Sequence, residues 1–400
     1  MRKRLLVYIH YLEIGGAERA LLGMLEGLDP LKWDVDLLVG RHTGDFMALI
    51  PEWINLLPQY EDYAAVERPI IEIIREGQIS IALRRMAAKI FHAAHRYKLS
   101  QNEKDCDESI YQYIYRSVTP CLRTLDGLGI YDVALSFLHP HNIVRDKVKA
   151  HRKVCWVHTD YSSTHINTRL EYPVWSAFDK IVCVSEDTLR AFESIFPTLR
   201  HKLVVMENII SPYSLREQSR MSNVSLEMPM IPDELRLLSV GRFSPAKRFE
   251  DVPEMCRIML DMGLRFKWYI IGYGDDMRIR GNIAKHGVAD TLVILGKKQN
   301  PYPYIAASDL YVQPSLYEGK SLTVREAQIL CVPPVVSAYP TASSQICSGT
   351  DGVIVPMDVE RCAKGIFAVA SDSKLRERIC SYLKTHDYGY TSEIDKLYNI

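Results

Sequence analysis

The sequence predicts an α/β protein built of two domains in series, and three observations carry that prediction. Short apolar runs alternate with helix-patterned stretches along most of the chain. One interval, rich in proline and serine and lacking periodicity, divides the alternation. The length of 400 residues suits roughly two to three domains. Such alternation builds mostly parallel sheets covered by helices on both faces.

Leu5 to Ile9 is the first apolar run, closed by Gly15-Gly16, and Ala17 to Leu28 then follows with helical spacing. This reads as a buried strand, a glycine turn and a helix. Comparable runs recur at Val35 to Val39, Val133 to Phe137, Val154 to Val157, Lys180 to Val184 and Leu203 to Val205. Ile210 to Glu234, with Pro212, Pro229 and Pro232, reads as an interdomain linker. Beyond it the alternation restarts with strands at Leu235 to Val240, Lys267 to Ile271, Leu292 to Leu295, Leu310 to Gln313 and Val335 to Ser337. Helices are expected near Phe249 to Gly263, Met277 to His286 and Val324 to Leu330. Glu67 to Val118 departs from the alternation. There Ile79, Leu83, Met86, Ile90 and Ala94 fall on one helical face, with Arg84, Arg85, Lys89, Arg96 and Lys98 elsewhere. The spacing is that of a core-facing stripe with a solvated basic side. The competing reading is an interfacial helix that touches anionic membrane.

Lysine plus arginine and aspartate plus glutamate each number 49. No net basic field draws the whole chain onto nucleic acid or acidic lipid, so an anionic ligand must be held by a local site. Hydrophobic residues at 47% and charged residues at 24% exclude disorder on the scale of a domain. The nine cysteines, Cys106 among them, are scattered without a CxxC pair or a histidine cluster. That argues against a disulfide framework or a zinc site and for a reducing compartment. The apolar run after Met1-Arg2-Lys3-Arg4 is too short for a signal-peptide core, and no stretch reaches the ~18 apolar residues of a spanning helix. A cytoplasmic protein is expected.

Several constellations carry chemistry. Tyr317 to Ala327, YEGKSLTVREA, follows a strand and enters a helix, so its free amides and positive dipole end suit a phosphate. Glu318 would lie in the loop and Glu326 one to two turns into the helix. The two carboxylates are then too far apart for an acid/base dyad but suited to two hydroxyl-bearing groups of one ligand. The plain structural alternative makes Glu318 a helix cap and Glu326 a solvated helix residue. Ser239 to Phe249, SVGRFSPAKRF, sets Arg242 and Lys247 in a strand-to-helix turn, where a guanidinium and an ammonium can converge on a pyrophosphate; as surface cations they need no ligand. Gly272 and Gly274 follow a buried strand without the third glycine of a dinucleotide fingerprint. His158 stands at the carboxyl end of a strand, where parallel sheets place ligand contacts. His139 and His141 flank Pro140 with no third metal ligand beside them.

The order of these segments resembles that of the retaining glycosyltransferases of family 4, over nearly the whole chain. The matching segments are GGAER at 15–19, WVHTD at 156–160, VCVSE at 182–186, Asn208, SVGRFSPAKRF at 239–249, IIGYGDD at 270–276 and YEGKSLTVREA at 317–327. The resemblance implies the GT-B fold, two Rossmann-like domains with mostly parallel sheets facing across a cleft. It divides the chain into an acceptor-side domain at 1–208 with a helical insertion at about 67–118, a linker at 209–234, and a nucleotide-sugar-binding domain at 235–400. The last helix is free to pack back on the first domain. By the same resemblance Glu318 binds hydroxyls of the donor sugar and Glu326 the ribose of the nucleotide. Arg242 and Lys247 neutralise the donor diphosphate, joined by amides around Leu322 and Thr323, with Gly319 and Lys320 in the same loop. Gly16 lies near the donor phosphate and acceptor, His158 faces the sugar, and Gly272, Gly274 and Lys297 border the base. Lys320-Ser321 departs from the aromatic residue and proline or glycine of many members, which bears on the identity of the donor sugar.

The activity so implied is transfer of a sugar from a nucleotide-sugar, a UDP-sugar, to a saccharide or lipid-linked acceptor in bacterial surface polysaccharide synthesis. A peripheral membrane contact accompanies it, no nucleic-acid partner is expected, and the nucleotide-sugar is a substrate, so no cofactor is needed. Without an Asp-x-Asp metal motif in a suitable loop, no divalent metal is expected. Retention is expected by front-face departure and attack, with a leaving-group phosphate oxygen taking the acceptor proton. Two other readings compete: a nucleotide-sugar epimerase of the same architecture, and an inert sugar-nucleotide-binding subunit. An NAD-dependent oxidoreductase lacks its fingerprint.

Overall fold

The structure, a computed structural model, describes residues 2–13, 15–100, 107, 109–159, 161 and 165–399; Asp160 of the WVHTD segment and Cys106 lie outside them. Contacts divide the chain into two compact units, Met1–Ile209 with Ser392–Ile400, and Ile210–Thr391.

The first unit runs β1 (Lys3–Ile9), α1 (Gly16–Gly27), β2 (Trp33–Val39), β3 (Asn55–Leu56), α2 (Glu61–Ala64), α3 (Ile70–Arg75), α4 (Ile79–Arg96) and α5 (Ser109–Val118). It continues through β4 (Tyr131–Ser136), α6 (Asn142–Lys147), β5 (Ala150–Val157), α7 (Thr168–Trp175), β6 (Lys180–Cys183), α8 (Glu186–Ile195) and β7 (Leu203–Val205). The strands are parallel, in the order β3-β2-β1-β4-β5-β6-β7. β1 shows why. Leu5, Val7 and Ile9 enter one apolar cluster, Leu6 and Tyr8 the other, and all are fully buried. A strand apolar on both faces requires cover on both.

α4 corrects the expected orientation of its stripe. The helix buries Ile81, Ala82, Arg85 and Ala88 and leaves Ile79, Leu83, Met86 and Ile90 exposed. Both faces carry apolar residues, so spacing alone could not choose between them. The buried face is fixed by Arg85, whose guanidinium donates to the carbonyls of Ala65 and Arg68.

The second unit runs α9 (Pro212–Ser219), β8 (Leu235–Val240), α10 (Val252–Asp261), β9 (Phe266–Ile271), α11 (Met277–His286), β10 (Leu292–Gly296) and α12 (Tyr302–Ala307). It ends with β11 (Leu310–Gln313), α13 (Leu322–Ile329), β12 (Pro334–Ser337), β13 (Val353–Val355), α14 (Val359–Ser371) and α15 (Ser373–Leu383). Its parallel order is β10-β9-β8-β11-β12-β13. Of the interval 209–234, expected as a linker, Ile209 closes the first unit and 210–234 belongs to this unit's body. Ile210, Leu215, Val224 and Met228 are buried in its core, and Ser211 Oγ caps α9 by accepting from Ser214 N at 3.2 Å. An eight-residue helix with Pro212 in its first turn is too short to show a period and reads as punctuation. A final helix, α16 (Ile394–Asn399), rejoins the first unit: Leu397 is buried there and Tyr398 stacks on Trp33 at 6.0 Å.

Candidate functional site

In both sheets the strand order reverses beside the first strand of the unit, between β1 and β4 and between β8 and β11. Loops leaving the carboxyl ends of such a strand pair diverge and open a crevice, the favoured ligand position of a doubly wound sheet. In the second unit these are the loop after β8, with Arg242 and Lys247, and the loop after β11, with Glu318.

Glu318 is the best-defined group there. Its Oε1 accepts from Lys247 Nζ at 2.6 Å, Ser315 Oγ at 2.6 Å and Gln313 Nε2 at 2.9 Å. Oε2 has no partner among the described residues, and the side chain is 11% exposed. One oxygen is therefore clamped and the other is left to accept hydrogen bonds from a ligand. The clamp is itself supported. Tyr311 OH donates to Gln313 Oε1 at 2.6 Å, Thr341 Oγ1 donates to the Glu318 carbonyl at 2.7 Å, and Leu316 N ties the loop to Ala246 O at 2.8 Å. Buried Tyr339 lies close enough for the Glu318 charge to add to burial in raising its pKa, and its hydroxyl has no hydrogen-bond partner among the described residues. Sequence reasoning missed Gln313, Ser315, Tyr311, Tyr339 and Thr341. The available signal was a glutamine ending the apolar strand Leu310-Tyr311-Val312, since a polar group in a buried strand must have a task.

The other expected residues of this unit sort by contact. Arg242 is exposed. Lys247 is paired with Glu318, so the diphosphate ligand and the sugar ligand of the expected site are bonded to each other. Glu326 is not the solvated helix residue of the plain alternative: it is 1% exposed, and Tyr302 OH donates to its Oε1 at 3.3 Å. Leu322 and Thr323 form the first turn of α13, where amides have no acceptor within the helix. That helix begins at Leu322 rather than Val324, which brings both amides into the turn. The amide of Ser321 is already taken by Gln345 Oε1 at 3.0 Å. Gly319 has open space around it, and Lys320 stands 5.6 Å from the Tyr390 ring centroid. Gly272 and Gly274 are explained by the chain itself. A Cβ on Gly272 would meet Gly241 O at 2.0 Å and Phe243 Cε1 at 2.7 Å, and Gly274, at φ +127°, bridges to Phe243. Lys297 sits 5.6 Å from the Tyr273 ring centroid.

In the first unit Gly16 opens α1 after β1, and His158 follows β5. Burial pushes the His158 imidazole down to about 4, against a raising hydrogen bond with the Phe137 backbone, so it is neutral at pH 7. Its Nε2 has no partner among the described residues, and the Phe137 ring lies 4.7 Å away. His139 and His141 are held neutral by burial against Trp175, with Ser136 Oγ 2.8 Å from His141 Nδ1. Among the described residues no group of three potential metal ligands forms. A second constellation, unanticipated from sequence, lies at the carboxyl end of β1. Tyr115 OH donates to Glu67 Oε1 at 2.6 Å, His10 Nε2 is 3.8 Å from Glu67 Oε2, and Tyr8 OH is 3.1 Å from His10 Nδ1. Burial lowers the His10 pKa despite the opposing pull of Glu67. Burial, followed by the Glu67 charge, pushes Tyr11 up to about 12. A half-buried carboxylate rimmed by tyrosines is suited to hydrogen-bonding a polyhydroxylated ligand.

The architecture is that of GT-B glycosyltransferases, two Rossmann-like units of parallel strands. Anabaena HepE, solved in complex with UDP-glucose, superposes with a TM-score of 0.69 at 14% identity, covering 100% of both chains. A TarM variant from S. aureus, solved with fondaparinux, alpha-GlcNAc-glycerol and UDP, gives 0.67 at 12% identity over 99% of each chain. At that identity the likeness is one of fold. Within it, residues 229–386 match the family model described as Glycosyl transferases group 1. The amylovoran biosynthesis glycosyltransferase AmsK of Erwinia amylovora is 30% identical over 131 residues, 30% of this chain and 32% of that protein. An uncharacterized glycosyltransferase of Methanocaldococcus jannaschii is 24% identical over 172 residues, 42% of each chain. The matches thus span less than half the length of these curated relatives.

Proposed function

We propose that the protein is a retaining glycosyltransferase of family 4 that moves a hexosyl unit from a UDP-sugar to a saccharide or lipid-linked saccharide in surface polysaccharide synthesis, at a membrane face. The observation that carries this is the Glu318 carboxylate, one oxygen fixed by three donors and the other free at a strand-order reversal. Such a group orients sugar hydroxyls without having to reorganise when the substrate arrives. The match of residues 229–386 to the glycosyl transferase model supports it, as do the UDP-glucose complex of HepE and the biosynthetic role in the name of AmsK.

In this reading Arg242, Lys247 and the Leu322 and Thr323 amides take the diphosphate and stabilise it as the glycosidic bond to the nucleotide breaks. The leaving phosphate oxygen accepts the proton of the acceptor hydroxyl, which attacks from the same face. Side-chain cations do this work in place of a divalent ion. Glu326 receives the ribose, and neutral His158 offers Nε2 to a sugar hydroxyl. The Glu67 cluster supplies acceptor contacts. The test is a thermal-shift and nucleotide-release screen against UDP-, GDP- and ADP-sugars, with and without EDTA. Stabilisation by the UDP series with EDTA-resistant release is expected. Glu318→Ala should cut turnover by roughly 100-fold or more, the scale of losing an oriented charged hydrogen bond in a transition state. No stabilisation by any nucleotide-sugar, or unaltered turnover in the variant, removes the assignment.

A further inference from the structure

Tyr339 carries a hydroxyl that neither packing nor the chemistry proposed above uses. The residue follows β12 and is 2% exposed, whereas its neighbours Ala338 and Pro340 are exposed. Its backbone is held at both ends. Tyr339 N donates to Ser337 O at 2.8 Å and Tyr339 O accepts from Ala342 N at 2.9 Å, while the proline that follows confines Tyr339 to extended conformations. The hydroxyl nevertheless has no hydrogen-bond partner among the described residues. A buried hydroxyl left unpaired carries a free-energy cost that phenylalanine in the same space would not.

The surroundings of that hydroxyl identify its task. The segment from Ser337 to Gln345 runs beside the loop after β11 and is stitched to it in step. Ser337 Oγ donates to Ser315 O, Thr341 Oγ1 to Glu318 O at 2.7 Å and Gln345 Nε2 to Ser321 O at 2.6 Å, with Gln345 Oε1 accepting from Ser321 N at 3.0 Å. Tyr339 stands between the first two stitches, so its register falls against Ser315 to Glu318. Burial, and after it the Glu318 charge, raises the Tyr339 pKa. Glu318 Oε1 is filled by three donors, whereas Oε2 has no partner among the described residues. The phenol and the carboxylate are thus near enough for the charge to act and yet share no hydrogen bond. A hydroxyl placed between them satisfies both, since its oxygen accepts from the phenol while its proton goes to the carboxylate. A phosphate oxygen has no proton for the carboxylate, and an ammonium has no lone pair for the phenol.

We infer that Tyr339 is a specificity-determining contact for the donor: its hydroxyl donates to the same sugar hydroxyl that donates to Glu318 Oε2, so the site takes a hexosyl unit with a free hydroxyl there and rejects one deoxygenated at that position. A site that must leave two buried polar groups unpaired discriminates more strongly than one that merely loses a contact. The inference rests on the reading of the second unit as the nucleotide-sugar site and is independent of the acceptor.

The experiment is titration calorimetry of the full chain and of Tyr339→Phe with UDP, UDP-glucose, UDP-galactose and UDP-N-acetylglucosamine, followed by deoxy analogues of the tightest-binding sugar nucleotide. Tyr339→Phe should weaken that UDP-sugar by roughly five- to tenfold, the loss of one hydrogen bond, and should bind UDP, which lacks the sugar, as the native chain does. Without ligand the variant should melt no lower than the native chain, because what it loses is an unpaired hydroxyl. Removing the matching hydroxyl from the sugar should erase the difference between the two proteins, at one ring position and no other. Equal UDP-sugar affinity in the two proteins overturns the inference and leaves the donor site standing. So does a variant that weakens UDP to the same degree, or that melts lower when free, since those are the marks of a hydroxyl that only supports the fold. A native chain that binds none of the four ligands overturns the inference together with the donor-site reading on which it rests.

Discussion

Two side chains state most of the chemistry at the residue scale. Lys247 and Glu318 share a 2.6 Å contact, so each sets the other's resting position, and their replacements should not add. Lys247→Ala is expected to raise the donor KM by roughly 10- to 100-fold, the loss of one charge-assisted hydrogen bond. Lys247→Ala/Glu318→Ala should cost less than the sum of the singles; strict additivity in a double-mutant cycle would break the proposed pairing. Glu171, far from that chemistry in the sequence, makes a different statement. It is buried, accepts from Trp175 Nε1 at 2.6 Å, and burial pushes its pKa up to about 7. Its folded value thus exceeds the unfolded one, near 4.5. Between those values the folded chain holds more protons, so stability falls as pH rises through the window and levels off above it. Ionised Glu171 costs on the order of 3 kcal/mol at pH 8. Glu171→Gln keeps an acceptor for Trp175 and removes the proton dependence. It should melt several degrees above the native protein at pH 8, with little difference at pH 4.5; the same gap at both pH values would contradict the buried-carboxylate account.

At the scale of elements, the glycine turns and the short helices decide how far sequence reading could go. Strands β1, β4, β8, β9 and β11 were legible because apolar residues on both faces leave a continuous run of the right length. The loops that follow β8 and β11 were legible too, because a strand end, a helix start and charged residues between them are local patterns. What required the structure were contacts between distant segments: Gln313 and Ser315 on Glu318, Tyr115 and His10 on Glu67. The outward face of α4 and the buried face of α9 also escaped, one because both of its sides are apolar, the other because eight residues show no period. Gly272 illustrates the same divide. Its place in a glycine loop suggested approach to a ligand, whereas the space its Cβ would need holds Gly241 O at 2.0 Å. Backbone cannot retreat as a flexible side chain can, so Gly272→Ala should destabilise the second unit by about 1–3 kcal/mol or more. Gly319→Ala, with nothing within 4 Å, should leave stability unchanged. Paired urea melts check both, and equal melts for the two variants would refute the packing role of Gly272.

For the whole molecule, the course of the chain has a thermodynamic consequence. It leaves the first unit after Ile209, builds the second from Ile210 to Thr391, and returns for Ser392–Ile400. Each unit has its own pair of apolar clusters, one on either face of its sheet. Each should therefore melt as its own cooperative transition. The return segment labels the first: Leu397 is 2% exposed in that core, and Lys396 Nζ donates to Val205 O at 3.0 Å. Leu397→Ala should remove about 2–5 kcal/mol from the first unit alone, lowering one calorimetric transition and leaving the other in place. The proposed donor groups, Arg242, Lys247, Glu318, Glu326 and the first-turn amides of α13, all belong to the second unit. UDP at 100 times its Kd should then add about 2.7 kcal/mol to that unit. For a unit of this size that raises its transition by roughly 5–10 °C. The two perturbations should thus move different peaks in one thermogram. UDP acting on the peak that Leu397→Ala lowers would place the nucleotide on the wrong unit and overturn the donor-site assignment.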